Sequence, residues 1–423
     1  MKKFLVLLLI IPAVISAQNI NGRVSSSAYT FERFDVNKES ETYVRTFQSL
    51  LLNVNQGQFA LRTRMNFEAD IANSLDNDPR FRMYNLYLEG RNLFDIATLK
   101  VGRQSLISSP VGGVYDGASL KLKYAEYEIS GFYGGNVPAY QKLELTDDFS
   151  KDYVMGGKIK INPLDHLNFG LSYVDKNYKA QSYEAIRLDE NFNPITLLIQ
   201  RNSNQYKFAS ANVAYEMPKL FDVYSKVEYD FNLKELSKIE VSGRYEQIEN
   251  LGVSLYYNYR EPRVRYNSIF SVFNYGNTQE IEAGVDYKLN DMITLVGKYG
   301  NVEYEDDNSQ RISIGANTEY GSFSYRKTFG YAGELDAISL YTAKTFLDGL
   351  FTSSAGVSYT AYKLSPDADK NYVTSVLLGF NVRPYKSFSV DLQGQYMNNP
   401  IYNNDVRLLL RLNHWFNTNL NLL

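Results

Sequence analysis

Apolar and polar residues alternate with a period of two along most of this chain. Between Phe59 and Ile71 the odd positions are Phe59, Leu61, Thr63, Met65, Phe67, Ala69 and Ile71, and the even ones include Arg62, Arg64, Asn66, Glu68 and Asp70. Side chains two apart share one face of a strand, whereas helical neighbours lie three and four apart, so the pattern predicts a strand with one apolar and one polar face. The same alternation returns at 118–124, 167–173, 239–246, 281–289, 311–317 and 388–396. Near the end, Val406, Leu408, Leu410 and Leu412 fall on one face and Arg407, Arg411 and Asn413 on the other.

The connections are of two kinds. Tight ones are read at 55–57, 162–165, 216–219, 290–291 and 383–386; longer, more polar ones at 37–41, 73–79, 135–151, 177–203, 261–276 and 365–370. A transmembrane barrel has short periplasmic turns and longer outer loops. A soluble sandwich has no reason to sort its loops, and a solenoid would show a fixed period that is not found. With the N-terminus in the periplasm, the pattern parses into 22 strands, an even number that returns the C-terminus to the starting side. Segments 94–106 and 266–273 are weaker, so 18 to 22 strands fit. The fold class expected is all-β, a transmembrane antiparallel up-and-down β-barrel of about 22 strands.

Residues 1–17 read as a signal peptide. Lys2 and Lys3 precede an apolar run at 4–11, Pro12 closes it, and a cut after Ala17 leaves Gln18 first. The apolar run is too short for a spanning helix, which needs about 20 residues. The expected division is therefore 1–17 signal peptide and 18–423 outer-membrane barrel.

Composition then adjusts the picture. Mean hydropathy is −0.34, which alone would suggest a soluble protein, but lumen-facing polar residues keep a barrel's average low. The chain holds 36 Tyr and 24 Phe against 1 Trp, residues suited to strands and membrane interfaces. It has no cysteine, which excludes lipoprotein acylation, disulfides and covalent haem attachment. A net charge of −3 gives no case for nucleic acid.

On the polar face the charges are unevenly spread. Arg62 and Arg64 fall on the third expected strand, Lys100 on the fifth, Lys121 and Lys123 on the sixth, Lys158 and Lys160 on the eighth. Glu228, Asp230, Glu240, Glu246, Glu280, Glu282 and Asp286 dominate further on, with Arg244, Arg260 and Arg311 among them. A basic wall facing an acidic wall would set a transverse field across a pore and bias its ion selectivity. The plainer reading is solvation of a water-filled lumen, with opposite charges paired. Four lysines on nearby strands are costly unless something anionic offsets them, which favours a functional role for Lys121, Lys123, Lys158 and Lys160. An acidic run, Glu303, Glu305, Asp306 and Asp307, is a candidate for a divalent cation bridging lipopolysaccharide.

Catalytic and cofactor signals are sparse. His166 follows a tight turn and His414 has the lipid-facing parity; neither has metal-ligand spacing or a nearby nucleophile. No phosphate-binding glycine loop occurs. No enzyme activity, metal or cofactor is expected.

The stretch Leu99-Lys100-Val101-Gly102-Arg103-Gln104, followed by Tyr115-Asp116-Gly117-Ala118-Ser119-Leu120, resembles a strand-loop-strand signature of outer-membrane porins and alginate-export-like barrels. The resemblance implies that Arg103 and Gln104 lie near the rim or an inward loop, that Asp116 starts the returning strand, and that a solute passes by diffusion. The function expected is an outer-membrane porin for passive or facilitated diffusion of small hydrophilic solutes, with anionic solutes as the refinement suggested by the lysines. The alternative is a structural barrel or sheath around a partner protein. A plugged, energised receptor also uses about 22 strands, but alternation begins just after Gln18 and leaves no room for a plug. Expected partners are outer-membrane lipid and lipopolysaccharide, the solutes themselves and further copies of the chain.

Overall fold

The computed structural model describes residues 19–419 apart from 35–39, 73–78, 107–110, 138–142, 144, 147, 189–193, 202–203, 263–275, 305–306, 331–333, 364, 366 and 401–403. Its strands are β1 (Asn19–Phe34), β2 (Ser40–Gln56), β3 (Phe59–Asp70), β4 (Arg80–Leu93), β5 (Ala97–Leu106), β6 (Gly113–Tyr124), β7 (Tyr127–Val137), β8 (Tyr153–Leu164), β9 (Leu167–Tyr178), β10 (Gln181–Leu188), β11 (Pro194–Arg201) and β12 (Asn204–Met217). They continue with β13 (Phe221–Asp230), β14 (Glu235–Tyr245), β15 (Leu251–Arg260), β16 (Thr278–Asn290), β17 (Ile293–Glu303), β18 (Asn308–Thr318), β19 (Gly321–Gly330), β20 (Glu334–Phe346), β21 (Phe351–Tyr362), β22 (Asn371–Tyr385), β23 (Phe388–Asn398) and β24 (Asp405–Asn419).

All but β10 and β11 belong to one 22-stranded sheet in which each strand pairs antiparallel with its neighbours in sequence. β12 follows β9 directly in that order, and β24 pairs with β1 to close the barrel. Closure leaves the barrel without an edge strand, the condition for a sheet in lipid. Barrel strands run from 10 residues in β5 to 17 in β2, at or beyond the 9–11 or so that a tilted strand needs to cross a bilayer. β24 runs to Asn419 and carries Phe416 within it.

The two faces separate by parity, as the alternation requires. Leu99, Val101, Leu120, Leu122, Ile129, Ile159, Phe169 and Leu171 are exposed on the outer face. The opposite parity carries ion pairs that skip a strand, such as Arg311 on β18 to Glu282 on β16. Only the concave side of a barrel brings alternate strands that close. The polar parity is therefore the lumen, and the apolar parity is the belt that lipid covers. This arrangement places the chain in an outer membrane.

The five tight connections read from the sequence all fall at one end of the barrel, where turns span two to five residues, and the six longer ones all fall at the other. The segment 94–106 is a true strand after a tight turn, and this fixes the count at 22. The other weak segment, 266–273, lies outside the described residues. Three connections on the long-loop side are also short, 231–234, 304–307 and 331–333. At the first, Asp230 accepts backbone N–H bonds from Asn232 and Leu233 at 2.8 and 3.3 Å, so local side-chain capping replaces a longer loop. His166, with φ of 70°, is the left-handed residue of the turn joining β8 and β9, and that explains its place without chemistry.

Candidate functional site: a lysine-lined lumenal pocket

The signature stretch builds the outer end of this wall. Gly102 has φ of +128°, and a Cβ there would stand 2.3 Å from the Leu86 carbonyl oxygen, so only glycine fits. Arg103 forks onto Asp116 through Nε–Oδ1 and Nη2–Oδ2 bonds of 2.8 Å each. Both are buried. On the lumenal face, Gln104 Oε1 accepts from Ser119 Oγ at 2.7 Å and Tyr115 Oη at 3.4 Å, and its Nε2 donates to the Gly117 carbonyl. Asp116 is the fourth residue of β6, within the returning strand rather than at its start.

Loops flank this lock on both sides. Thr146 and Phe149 lie over Gly135, the register partner of Asp116, and Tyr133 donates to the Phe149 carbonyl at 3.0 Å. Thr146 and Phe149 of the β7–β8 connection thus pack on the outside of the barrel. Val111 and Gly112, which precede β6, lie on the lumenal side. Val111 packs on a lumenal cluster of Leu106, Tyr115, Val154, Val174 and Phe208, and Lys176 Nζ donates to the Gly112 carbonyl at 2.9 Å. The 177–203 connection carries the β10–β11 hairpin, which pairs with no other strand.

Beneath that cluster, register stacks three lumenal rows across β6, β7 and β8. The first is Lys123, Glu128, Lys160; the second is Lys121, Ser130, Lys158; the third is Ser119, Phe132, Gly156. Ser172 extends the second row and Val174 the third on β9, while Lys100 faces Ser119 from β5. Neighbouring strands are about 4.8 Å apart and rows about 6.7 Å, so Lys100, Lys121 and Lys158 converge on one pocket of about 500 Å³. Its walls include Ser119, Ser130 and Ser172, with Leu106, Phe132 and Val174 towards the outer end.

Few carboxylates balance these cations. Glu89 is shared by Arg62, Arg91 and Lys100 at 3.3, 3.6 and 3.6 Å, and Lys100 also lies over the Tyr87 ring. Lys121 reaches Glu128 at 3.4 Å. Arg64 stacks on Tyr84 at 5.4 Å. Among the described residues, Arg64, Lys123, Lys158 and Lys160 have no carboxylate within 4.0 Å.

The acidic residues form a different environment. Glu228 is only 1% exposed and holds Lys226 at 2.6 Å; Asp230 is buried as the turn cap described above. Glu240 pairs with Lys238. Arg244 bridges Glu246 and Asp286, the latter through bonds of 2.7 and 2.9 Å. Glu282 takes Lys298 and Arg311 at 2.8 Å each, and Glu280 also holds Arg311. Arg244 reaches Asp286 over Gly252, and Arg311 passes Gly300 on its way to Glu282. Each glycine removes the side chain that would separate alternate strands. Pairing of opposite charges was the plainer reading of the sequence; which residues pair depends on these gaps and on register, not on parity.

No metal-holding group of His, Asp and Glu occurs among the described residues. Within the acidic run, Glu305 and Asp306 lie outside the described residues.

No protein-family model and no curated protein matches the chain. Solved structures do match in fold. The ferric enterobactin receptor of Pseudomonas aeruginosa superposes with a TM-score of 0.56 at 10% identity, covering 95% of this chain and 81% of the receptor. The translocation pore of the P pilus usher gives 0.49 at 10% identity over 93% and 99% of the two chains. Pseudomonas aeruginosa OccK2, solved in complex with glucuronate, gives 0.43 at 9% identity over 94% and 98%. The likeness to the receptor shows the large β-barrel fold alone.

Proposed function

We propose that this barrel is a passive channel for small hydrophilic solutes and that it prefers anions. One observation carries the reading: Lys123, Lys158 and Lys160 stand on the lumenal face without carboxylate partners, while the acidic residues opposite are engaged by arginines and lysines. On this reading the acidic residues are neutralised by their partners, and the charge left over is positive, along β3–β8. A low-dielectric wall focuses the potential of that charge into the lumen, where it raises the local concentration of anions.

The test is reversal potential across planar bilayers holding the purified protein in a salt gradient. The expected result is open-channel conductance with anion preference, reduced by Lys158→Glu and reversed by Lys121→Glu with Lys158→Glu. Absence of conductance would remove the channel reading. Cation preference unaltered by these substitutions would remove the role of the lysines.

A further inference from the structure

We infer that the lysine pocket is a binding site for a planar aromatic carboxylate, which docks there in passage. The inference rests on the channel reading and adds what the pocket recognises. Charge alone would serve any anion, but the third lumenal row is not charged. Phe132 pairs with Gly156 across β7 and β8, and a Cβ at Gly156 would stand 2.8 Å from Phe132 Cζ and 3.2 Å from Cε1. The ring therefore lies across the glycine, along the wall, as a platform. Tyr115 flanks it with ring centroids 5.6 Å apart, fixed by its bond to Gln104.

This platform is one row from Lys121, Ser130 and Lys158, a step of about 6.7 Å. That step suits a six-membered ring bearing one carboxylate. The ring stacks on Phe132, the carboxylate lies between Lys121 and Lys158, and Ser130, between them in the row, supplies a hydroxyl. Both ends of such a ligand find a complementary surface, as neither a small inorganic anion nor a neutral ring would.

The experiment reads block of single-channel current by benzoate, with acetate and benzyl alcohol as controls of equal charge and equal ring. Benzoate is expected to interrupt the current at concentrations where both controls are silent. Phe132→Ala is expected to raise its half-blocking concentration about tenfold. Lys121→Gln with Lys158→Gln is expected to raise it at least as much. Phe132→Leu, which keeps apolar bulk, guards against loss of folding, and intact open-channel conductance reports a folded barrel. Equal block by acetate, or benzoate block indifferent to Phe132→Ala, overturns the inference while the anion channel stands. Should the protein not conduct, equilibrium dialysis of benzoate against the detergent-solubilised barrel tests the pocket alone: binding lost in Phe132→Ala supports it, and no binding overturns it.

Discussion

At the residue scale, the best-determined interaction is the Arg103–Asp116 fork. Its side chains are 4% and 8% exposed, so removing one partner leaves a buried charge uncompensated. Such a loss costs about 3–5 kcal/mol, whereas removing both with apolar residues of similar volume is often close to neutral. Asp116→Asn is expected to lower the urea-unfolding free energy in lipid by an amount of that order, and the double substitution Arg103→Met with Asp116→Leu to recover much of it. A single variant indistinguishable from the parent would mean that the fork is not what holds β5 to β6. The signature stretch was visible in the sequence as a resemblance to a strand-loop-strand signature. The fork itself was not visible, because Arg103 has the outward parity, where a buried ion pair is not expected.

At the element scale, alternation determined the faces, and turn chemistry sorted the two ends. What it left open was lateral: which side chain meets which across strands. Register places Glu89, which the sequence pattern did not single out, among Arg62, Arg91 and Lys100. The acidic strands looked like a negative wall, yet Gly252 and Gly300 let their arginines reach over to them. Turns are more local, and there chemistry is readable from spacing. Between β16 and β17, Asn290 Oδ1 accepts the N–H groups of Met292 and Ile293 at 2.9 Å each, and Lys288 holds the neighbouring Asp291 at 2.7 Å. The lysine's hydrogen bond and charge hold the Asp291 carboxyl below its ordinary value. A carboxylate so depressed stabilises the turn above its unfolded pKa, and the contribution is lost as pH falls through the folded one. Carbon-detected NMR titration is expected to find Asp291 titrating below a free aspartate and returning to the ordinary range in Lys288→Met. An unshifted Asp291 in the parent would show that the pair does not persist in solution.

At the scale of the whole molecule, selectivity is a sum over the lumen, so paired and unpaired charges should respond in opposite senses. Lys158 has no carboxylate to release, and Lys158→Gln simply subtracts positive potential. Glu282 restrains two cations, Lys298 and Arg311, so Glu282→Gln frees positive charge and is expected to increase anion preference. A true acidic wall would give the same sign for that variant but would also leave the parent barrel cation-selective or neutral, which the reversal potential separates. Ionic strength offers a further handle. Screening lengths are about 10 Å at 0.1 M salt and about 3 Å at 1 M. The lysine rows are about 6.7 Å apart and the strands about 4.8 Å, so their potentials overlap in dilute salt and decouple in concentrated salt. The parent is therefore expected to lose most of its anion preference between these two concentrations, and the Lys158→Gln and Glu282→Gln variants to converge on it. A preference that survives 1 M salt would instead come from contact at a narrow point, and Val111 against the lumenal cluster is where such a point would lie.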